Sequence, residues 1–388
     1  MKNIYQNDSC STFLIKRSNK QYIGHNLDER TPNPVNGAVF INRRGENKIG
    51  ISKSNLQEGF DDLSKHFTWV SRYGSITFNV YGKDMIDGGF NEKGLYIQEM
   101  TLIDGIPPTS KDDRLPTLTF EMWMQYVLDN YSEVQEVIDS LAKFNLEGYP
   151  WHFFVCDQSD DAAVIDFKEE PIISRNDTLP ITLTTNYFYS KELANLRKYQ
   201  GFGGDKPIDF TDIKGRGSLE KDTRFVHAAS LIKNAPDTID EEYAFKILKT
   251  MDRGKYHATS GGRHWWYVID PKKNFIYVET RAAPARKIID LSKIDFSKGQ
   301  HPKFLDIHQN LSGLVNDHFQ PFTKESILER LEKAKEWEYE FVDVESQLLK
   351  QEGEDLGIVK EFLEQLDITY ENLRKYYNYC WNNNYEYI

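Results

Sequence analysis

The sequence predicts an α+β protein, a four-layer αββα sandwich in which two mainly antiparallel sheets lie face to face between helices. Three observations predict it. Residues 11–102 alternate apolar and polar positions and are rich in β-branched and aromatic side chains, the period of strands with a buried face. Residues 117–143 and 222–251 change to helical spacing. Residues 264–281 return to alternation as two aromatic strands around Asp270-Pro271-Lys272-Lys273-Asn274, a hairpin pattern. Two pairs of helices set between runs of strands cover two sheet faces. The 388 residues, 39% of them hydrophobic and 13% aromatic, suffice for one large core with an appendage. The expected division is a short N-terminal extension or propeptide over 1–9, a sandwich body over 10–300 and a helical C-terminal extension over 301–388.

In chain order, residues 1–9 are polar and aperiodic. Cys10 opens the first strand, Arg17-Ser18-Asn19-Lys20 turns the chain, and a second strand runs to Asp28. Residues 37–52 read as strand, turn and strand, and 67–82 and 88–102 follow as further strands. In 117–143, Phe120, Trp123, Met124, Val127 and Leu128 line one helix, and Val134, Val137, Ile138 and Leu141 a second. Ser132 is placed to cap the second. Residues 151–168 form two strands about an acidic turn, with Cys156 in an apolar run as a core residue. A β-branched strand over 180–187 ends near Asn186, and a short helix covers 190–199. The loop GFGGDKP at 201–207 lacks the Gly-Lys-Ser/Thr ending of a phosphate loop and reads as surface. Helices over 222–234 and 241–251 precede the hairpin. Beyond residue 300 the chain becomes charged and helical over 323–350 and 354–384, with Thr323 as an N-cap. These helices carry no evident chemistry and are expected to pack on the body or on another subunit.

Composition narrows the function. A net charge of −12 disfavours nucleic acid and anionic membranes as partners. Three cysteines, Cys10, Cys156 and Cys380, give no disulfide framework and fit a reducing compartment. No CxxC pair or His/Cys cluster has metal-ligand spacing, so no metal and no other cofactor is expected. No apolar run reaches the roughly 18 residues of a membrane span, and residues 1–9 lack the apolar centre of a signal peptide. The chain reads as cytoplasmic; one already relieved of a signal, secreted or periplasmic, would read the same.

The pairing of Cys10 with Asp28 is the chemical feature. A thiol with an ordinary pKa of about 8.5 is only a few per cent thiolate at neutral pH and needs a base. Removal of residues 1–9 would give Cys10 a free α-amine of pKa about 7.7–8.0, able to take the thiol proton, and Asp28 could orient that amine. Arg224 lies in the first turn of a helix, where a cation opposes the helix dipole, which suggests another use for its charge. Taken alone, a single cysteine near a chain start also reads as an ordinary half-buried strand residue.

Several strings then resemble one family in order and spacing: CSTF at 10–13, GHNLDE at 24–29, INRRG at 41–45, RYGSITFNVYG at 72–82, GGFNEKGL at 88–95, LTTNY at 183–187 and DTRFV at 222–226. Over roughly residues 10–290 the chain resembles the choloylglycine hydrolase and penicillin V acylase family, in its linear amide C–N hydrolase branch. The resemblance implies the sandwich of N-terminal-nucleophile hydrolases and hydrolysis of a small N-acyl amide through an acyl-enzyme thioester. It implies Cys10 as nucleophile with its α-amine as base, Asp28 holding the amine, Asn186 as oxyanion donor, and Arg224 beside the nucleophile. Thr101 falls where relatives place a residue near the oxyanion hole. His25 stands where relatives usually carry an arginine. A protonated His25 would lower the thiol pKa or bind substrate, and activity would then fall as pH rises above about 6.5. The nine preceding residues imply cleavage of the Ser9–Cys10 bond. Aromatic residues near the site, Phe13, Trp69, Phe78 and Tyr187, favour an apolar acyl group, and loops 53–66 and 104–116 are expected to set substrate choice. An acyltransferase using the same thioester, or an inactive uncleaved relative serving as a scaffold, would share these residues. Family members often form homo-oligomers; the added C-terminal helices leave that state open here.

Overall fold

A computed structural model describes residues 10–29, 31, 33–60, 62–109, 111–211, 219, 222–252, 262–299, 301–352 and 356–383. The expected extension over 1–9 and the Ser9–Cys10 bond lie outside the described residues. Strands and helices are numbered in chain order.

One sheet contains β1 (Ser11–Arg17), β2 (Lys20–Glu29), β14 (Leu183–Thr184), β15 (Gly262–Asp270), β16 (Phe275–Thr280), β17 (Lys287–Asp290) and β19 (Gly313–Leu314), in the order β14-β1-β2-β15-β16-β17-β19. Among the described residues of this sheet only the β17–β19 pair is parallel. The second contains β3 (Ala38–Asn42), β6 (Ser75–Asn79), β7 (Gly88–Asn91), β8 (Tyr96–Thr101), β11 (Trp151–Cys156), β12 (Ala162–Lys168), β13 (Glu170–Arg175), β18 (Lys303–Asp306) and β20 (Gln320–Pro321), ordered β13-β12-β11-β8-β7-β6-β3-β18-β20 and antiparallel throughout. Two small ribbons, β4 (Asn47–Ile49) with β5 (Thr68–Val70) and β9 (Thr117–Thr119) with β10 (Asn145–Glu147), lie outside both. Residues 37–52 are the expected strand, turn and strand, with β3 entering the large sheet and β4 pairing with β5.

Helices α2 (Phe120–Asn130) and α3 (Val134–Ser140) cover the second sheet, and α4 (Tyr189–Leu196), α5 (Arg224–Lys233) and α6 (Glu241–Met251) the first. Between the sheets the Phe78 and Tyr267 rings stack at 4.1 Å, and the Tyr96 and Tyr267 hydroxyls hydrogen-bond at 2.8 Å. Such a core stays closed because its buried hydroxyls are satisfied within it. Helix α1 (Lys53–Glu58) has no sequence counterpart above: a short helix capped by Ser52 shows too little periodicity to be read. The residue capping α3 is Glu133, not Ser132. Glu136 accepts from both backbone N–H groups there and so displaces the serine.

The first hairpin fixes the register on which the site depends. Ser11 pairs with Asn26, Thr12 with His25 and Phe13 with Gly24. A Cβ on Gly24 would sit 2.4 Å from the Phe13 ring, so only glycine lets that ring lie across the neighbouring strand. The INRRG string serves structure. Arg43 Nε donates to Glu46 at 2.6 Å, Lys83 Nζ donates to the same carboxylate at 2.8 Å, and Lys48 pairs with Asp84, a buried network with charges of both signs.

Residues 303–321 contribute strands to both sheets, so the helical part begins at α7 (Lys324–Glu352) and continues in α8 (Gly357–Asn382). Thr323 Oγ1 accepts from Ser326 N at 3.3 Å, the expected cap. Both helices dock on the body. Ile327, Leu331 and Ala334 of α7 and Leu366, Leu373 and Tyr376 of α8 join the core under the second sheet. Asn36 Nδ2 donates to Arg330 O at 3.1 Å, and Tyr377 OH to Lys83 O at 2.7 Å. Buried apolar area supplies most of the attachment, and these hydrogen bonds fix its register.

Candidate active site

Cys10 is buried at the mouth of β1. Continuing the ladder from Ser11–Asn26 puts Leu27 across from Cys10 and Asp28 one step beyond. Side chains alternate between faces of a strand. Cys10 and Leu27 therefore share the face turned to the second sheet and line one cavity, whereas Asp28 projects to the reverse face.

Arg224 opens α5 and is fully buried. Asp222 holds it in a fork: its carboxylate accepts from Arg224 Nη2 at 2.7 Å, from Nε at 3.1 Å and from the Arg224 backbone N–H at 3.0 Å. Burial works against the guanidinium charge, but Asp222, followed by Asp28 and Glu192, outweighs it and pushes the pKa up. This answers the apparent mismatch with the helix dipole: Asp222 supplies the negative charge at that end. Sequence reasoning missed Asp222, although the D-x-R spacing at a helix start was visible.

Arg224 Nη2 also donates to Asn186 Oδ1 at 3.2 Å, and Asn186 Nδ2 donates to Thr101 O at 2.9 Å. Thr101 ends β8 and lines the cavity beside Cys10. Asp28, Arg224, Asn186 and Thr101 thus form a connected set running from the reverse face of the first sheet to the Cys10 cavity. The Asn186 segment is braced from behind by residues the sequence did not single out. His152 Nε2 contacts Thr185 O at 2.7 Å, and its Nδ1 contacts Asp166 at 2.8 Å. Thr185 Oγ1 donates to Glu192, whose carboxyl is pushed up to about 8 by burial and by Asp222. β14 is only Leu183–Thr184, shorter than the β-branched run implied, because Thr185 and Asn186 turn toward these partners.

His25 does not play the part expected of it. It faces the inter-sheet core, with Nδ1 2.9 Å from Thr12 Oγ1 and its ring 5.2 Å from that of Tyr267. Complete burial lowers its pKa to about 3, against a small opposing effect from the Ser11 backbone. At neutral pH the ring is uncharged and supplies no field to a thiolate. Nor do Phe13, Trp69, Phe78 and Tyr187 line the cavity. Its aromatic walls are Tyr81, Trp151, Trp337 and Phe341, and the last two belong to α7. The C-terminal extension, read above as chemically silent, therefore closes the nucleophile cavity, whose volume is about 60 Å³. Helix α1, within the 53–66 stretch expected to set substrate choice, borders instead a neighbouring cavity of about 290 Å³ under α8. Residues of the 104–116 loop line neither cavity.

Comparison with known proteins places this geometry. Residues 10–297 match the linear amide C–N hydrolases of the choloylglycine hydrolase family. The chain belongs to the choloylglycine hydrolase family. It is 25% identical over 295 residues to a penicillin V acylase of Pectobacterium atrosepticum, covering 65% of this chain and 77% of that one. The structure of penicillin V acylase from Agrobacterium tumefaciens superposes with a TM-score of 0.66 at 23% identity, over 81% of this chain and 98% of the other. A conjugated bile acid hydrolase variant from Clostridium perfringens gives 0.61 at 18% identity, over 78% and 99%. The fold is that of the N-terminal-nucleophile hydrolases, and the chain is a hydrolase of carbon–nitrogen bonds in linear amides. The family match stops before α7 and α8 begin. Among the described residues no helix is long and apolar enough to cross a membrane.

Proposed function

We propose that this family member cleaves the amide of a small N-acyl compound through a thioester on Cys10, once residues 1–9 have been removed. The observation that carries the reading is the chain Arg224–Asn186–Thr101 ending at the Cys10 cavity. It brings the Asn186 amide to Thr101, a residue that lines the cavity with Cys10, which supports a role for that amide as the oxyanion donor.

In this reading the freed α-amine of Cys10 takes the thiol proton, and Asp28 holds the resulting ammonium. The thiolate attacks the carbonyl carbon, and Asn186 Nδ2 stabilises the developing oxyanion, a contribution worth about 100- to 1000-fold in rate. Collapse expels the amine, which receives the proton from the Cys10 ammonium. Water, activated by the same amine, then releases the acid and regenerates the thiol. The names of the relatives, penicillin V acylase and conjugated bile acid hydrolase, point to small acylated amines, and the aromatic cavity walls suit an apolar acyl group. The test is hydrolysis of a panel of N-acyl amides by purified protein beside Cys10→Ala. Loss of turnover in the variant, with an acyl adduct on Cys10 trapped in the wild type, is expected; equal turnover by both proteins overturns the reading.

A further inference from the structure

The cavity beside Cys10 has an unusual charge pattern. Among the described residues its lining includes three carboxylates, Asp87, Glu99 and Glu338, and no lysine, arginine or histidine. Asp87 precedes β7, Glu99 lies on β8, and Glu338 comes from α7. Asp87 is 8% and Glu338 6% exposed. Buried carboxylates are ordinarily paired with a cation or neutralised. Asp87 Oδ2 meets no donor among the described residues, although the Val80 backbone N–H serves the same carboxyl group. The Glu338 carboxyl accepts from the Tyr81 hydroxyl, which leaves further acceptor capacity on its two oxygens.

Contrast with the other buried acids sharpens the point. Asp222 has Arg224, Asp84 has Lys48 and Lys83, and Glu46 has Arg43, Lys48 and Lys83. Other buried acids are held by neutral donors instead, Asp129 by Trp69 and Gln125 and Glu192 by Thr185; the Cys10 cavity differs in gathering three carboxylates into one lining. Among the described residues no group of three or more carboxylate, imidazole or thiol side chains is arranged to hold a metal ion. The cavity therefore suits a compact organic cation, whose N–H groups bond to separate carboxylates.

We propose that the substrate carries a cationic nitrogen, an ammonium or guanidinium group close to the scissile amide, which Asp87 on the body and Glu338 on α7 bind together. This assignment rests on the amidase reading above and adds a substrate class to it. Burial pushes the Asp87 carboxyl well above its ordinary range, with Glu121 adding to the effect, and pushes that of Glu338 up to about 7. An arriving cation works against both shifts, favouring the ionised carboxylates. Because Glu338 lies beyond the family match at residue 297, this selectivity belongs to the C-terminal helices.

Two isosteric series of N-acyl amides test the proposal, one varying charge on the acyl side and one on the amine side, each with cationic, neutral and anionic members. In one series the cationic member is expected to exceed the neutral in kcat/KM by about tenfold or more. Asp87→Asn and Glu338→Gln should shrink that ratio, chiefly through KM. Neutral or anionic members cleaved as well as the cationic in both series would overturn the proposal and leave the amidase reading intact. A second arm needs no turnover. Cys10 is modified with a cationic and an anionic methanethiosulfonate reagent, and labelling at Cys10 is followed by peptide mass spectrometry. The cationic-to-anionic rate ratio should fall about tenfold in the Asp87→Asn/Glu338→Gln double variant. An unchanged ratio, or no labelling of Cys10 by either reagent, overturns the proposal even if no amide in the panel is hydrolysed.

Discussion

Arg224 Nη2 donates to Asn186 Oδ1 at 3.2 Å, and this bond decides which way the Asn186 amide points. A guanidinium can only donate, so the oxygen must face it and the NH₂ group must face away, toward the carbonyl of Thr101, which lines the Cys10 cavity. Replacing Asn186 by Ala removes the donor but leaves binding contacts in place. We expect kcat to fall about 100- to 1000-fold with a smaller change in KM, read by steady-state kinetics on any amide the wild type cleaves. A loss confined to KM would assign Asn186 to substrate binding alone.

The Arg224–Asp222 pair is buried with its charges matched. Arg224→Ala leaves Asp222 uncompensated and should cost about 3–5 kcal/mol of stability, measured by urea denaturation. Arg224→Lys retains charge without the fork, and should recover part of the stability while kcat stays low, because a lysine cannot hold Asp222 and Asn186 together. Equal kcat for Arg224→Lys and wild type would show that orientation of Asn186 does not depend on the fork.

Processing has its own signature. Intact mass of active protein should correspond to a chain beginning at Cys10. If the cut is autocatalytic, Cys10→Ala retains residues 1–9. A fully active sample still carrying those residues would remove the α-amine from the mechanism.

His25 has a folded pKa near 3, below its ordinary 6.5. A lowered value means that the unfolded chain binds the extra proton between those limits, so stability is full above about pH 6.5 and is lost as pH falls toward 3. The slope approaches about 1.4 kcal/mol per pH unit in mid-range. His25→Gln should flatten that acid limb in urea titrations, and should leave the pH–rate profile between 6 and 8 unchanged in shape. A shifted profile would restore a titrating role to His25.

Trp337 narrows the Cys10 cavity from the α7 side and donates through Nε1 to Thr31 Oγ1 at 2.8 Å. Trp337→Ala widens that wall. Specificity should move toward bulkier acyl groups by about tenfold, seen as a changed kcat/KM ratio across an acyl-length series. An unchanged ratio would place the acyl group elsewhere.

What the sequence determined on its own was whatever local pattern encodes. The β1–β2 hairpin, the aromatic β15–β16 hairpin, the helices at 224–233 and 241–251 and the burial of Cys156 follow from alternation, helical period and turn chemistry. Cys10, Asp28, Asn186 and Arg224 could be singled out because they sit in strings whose order and spacing resemble a family. Tertiary structure decided the rest. His25 follows a glycine in one of those strings, yet its charge state depends on burial between two sheets, which no string records. His152 and Asp166 act on groups distant in sequence, so their roles emerge only where β11, β12 and β14 converge, and Asp222, two residues from Arg224, shows its role only through the buried fork. Trp337 and Glu338 read as ordinary positions on a charged amphipathic helix. A helical period shows that one face is covered, but what it covers is settled by docking, and here α7 docks over the nucleophile.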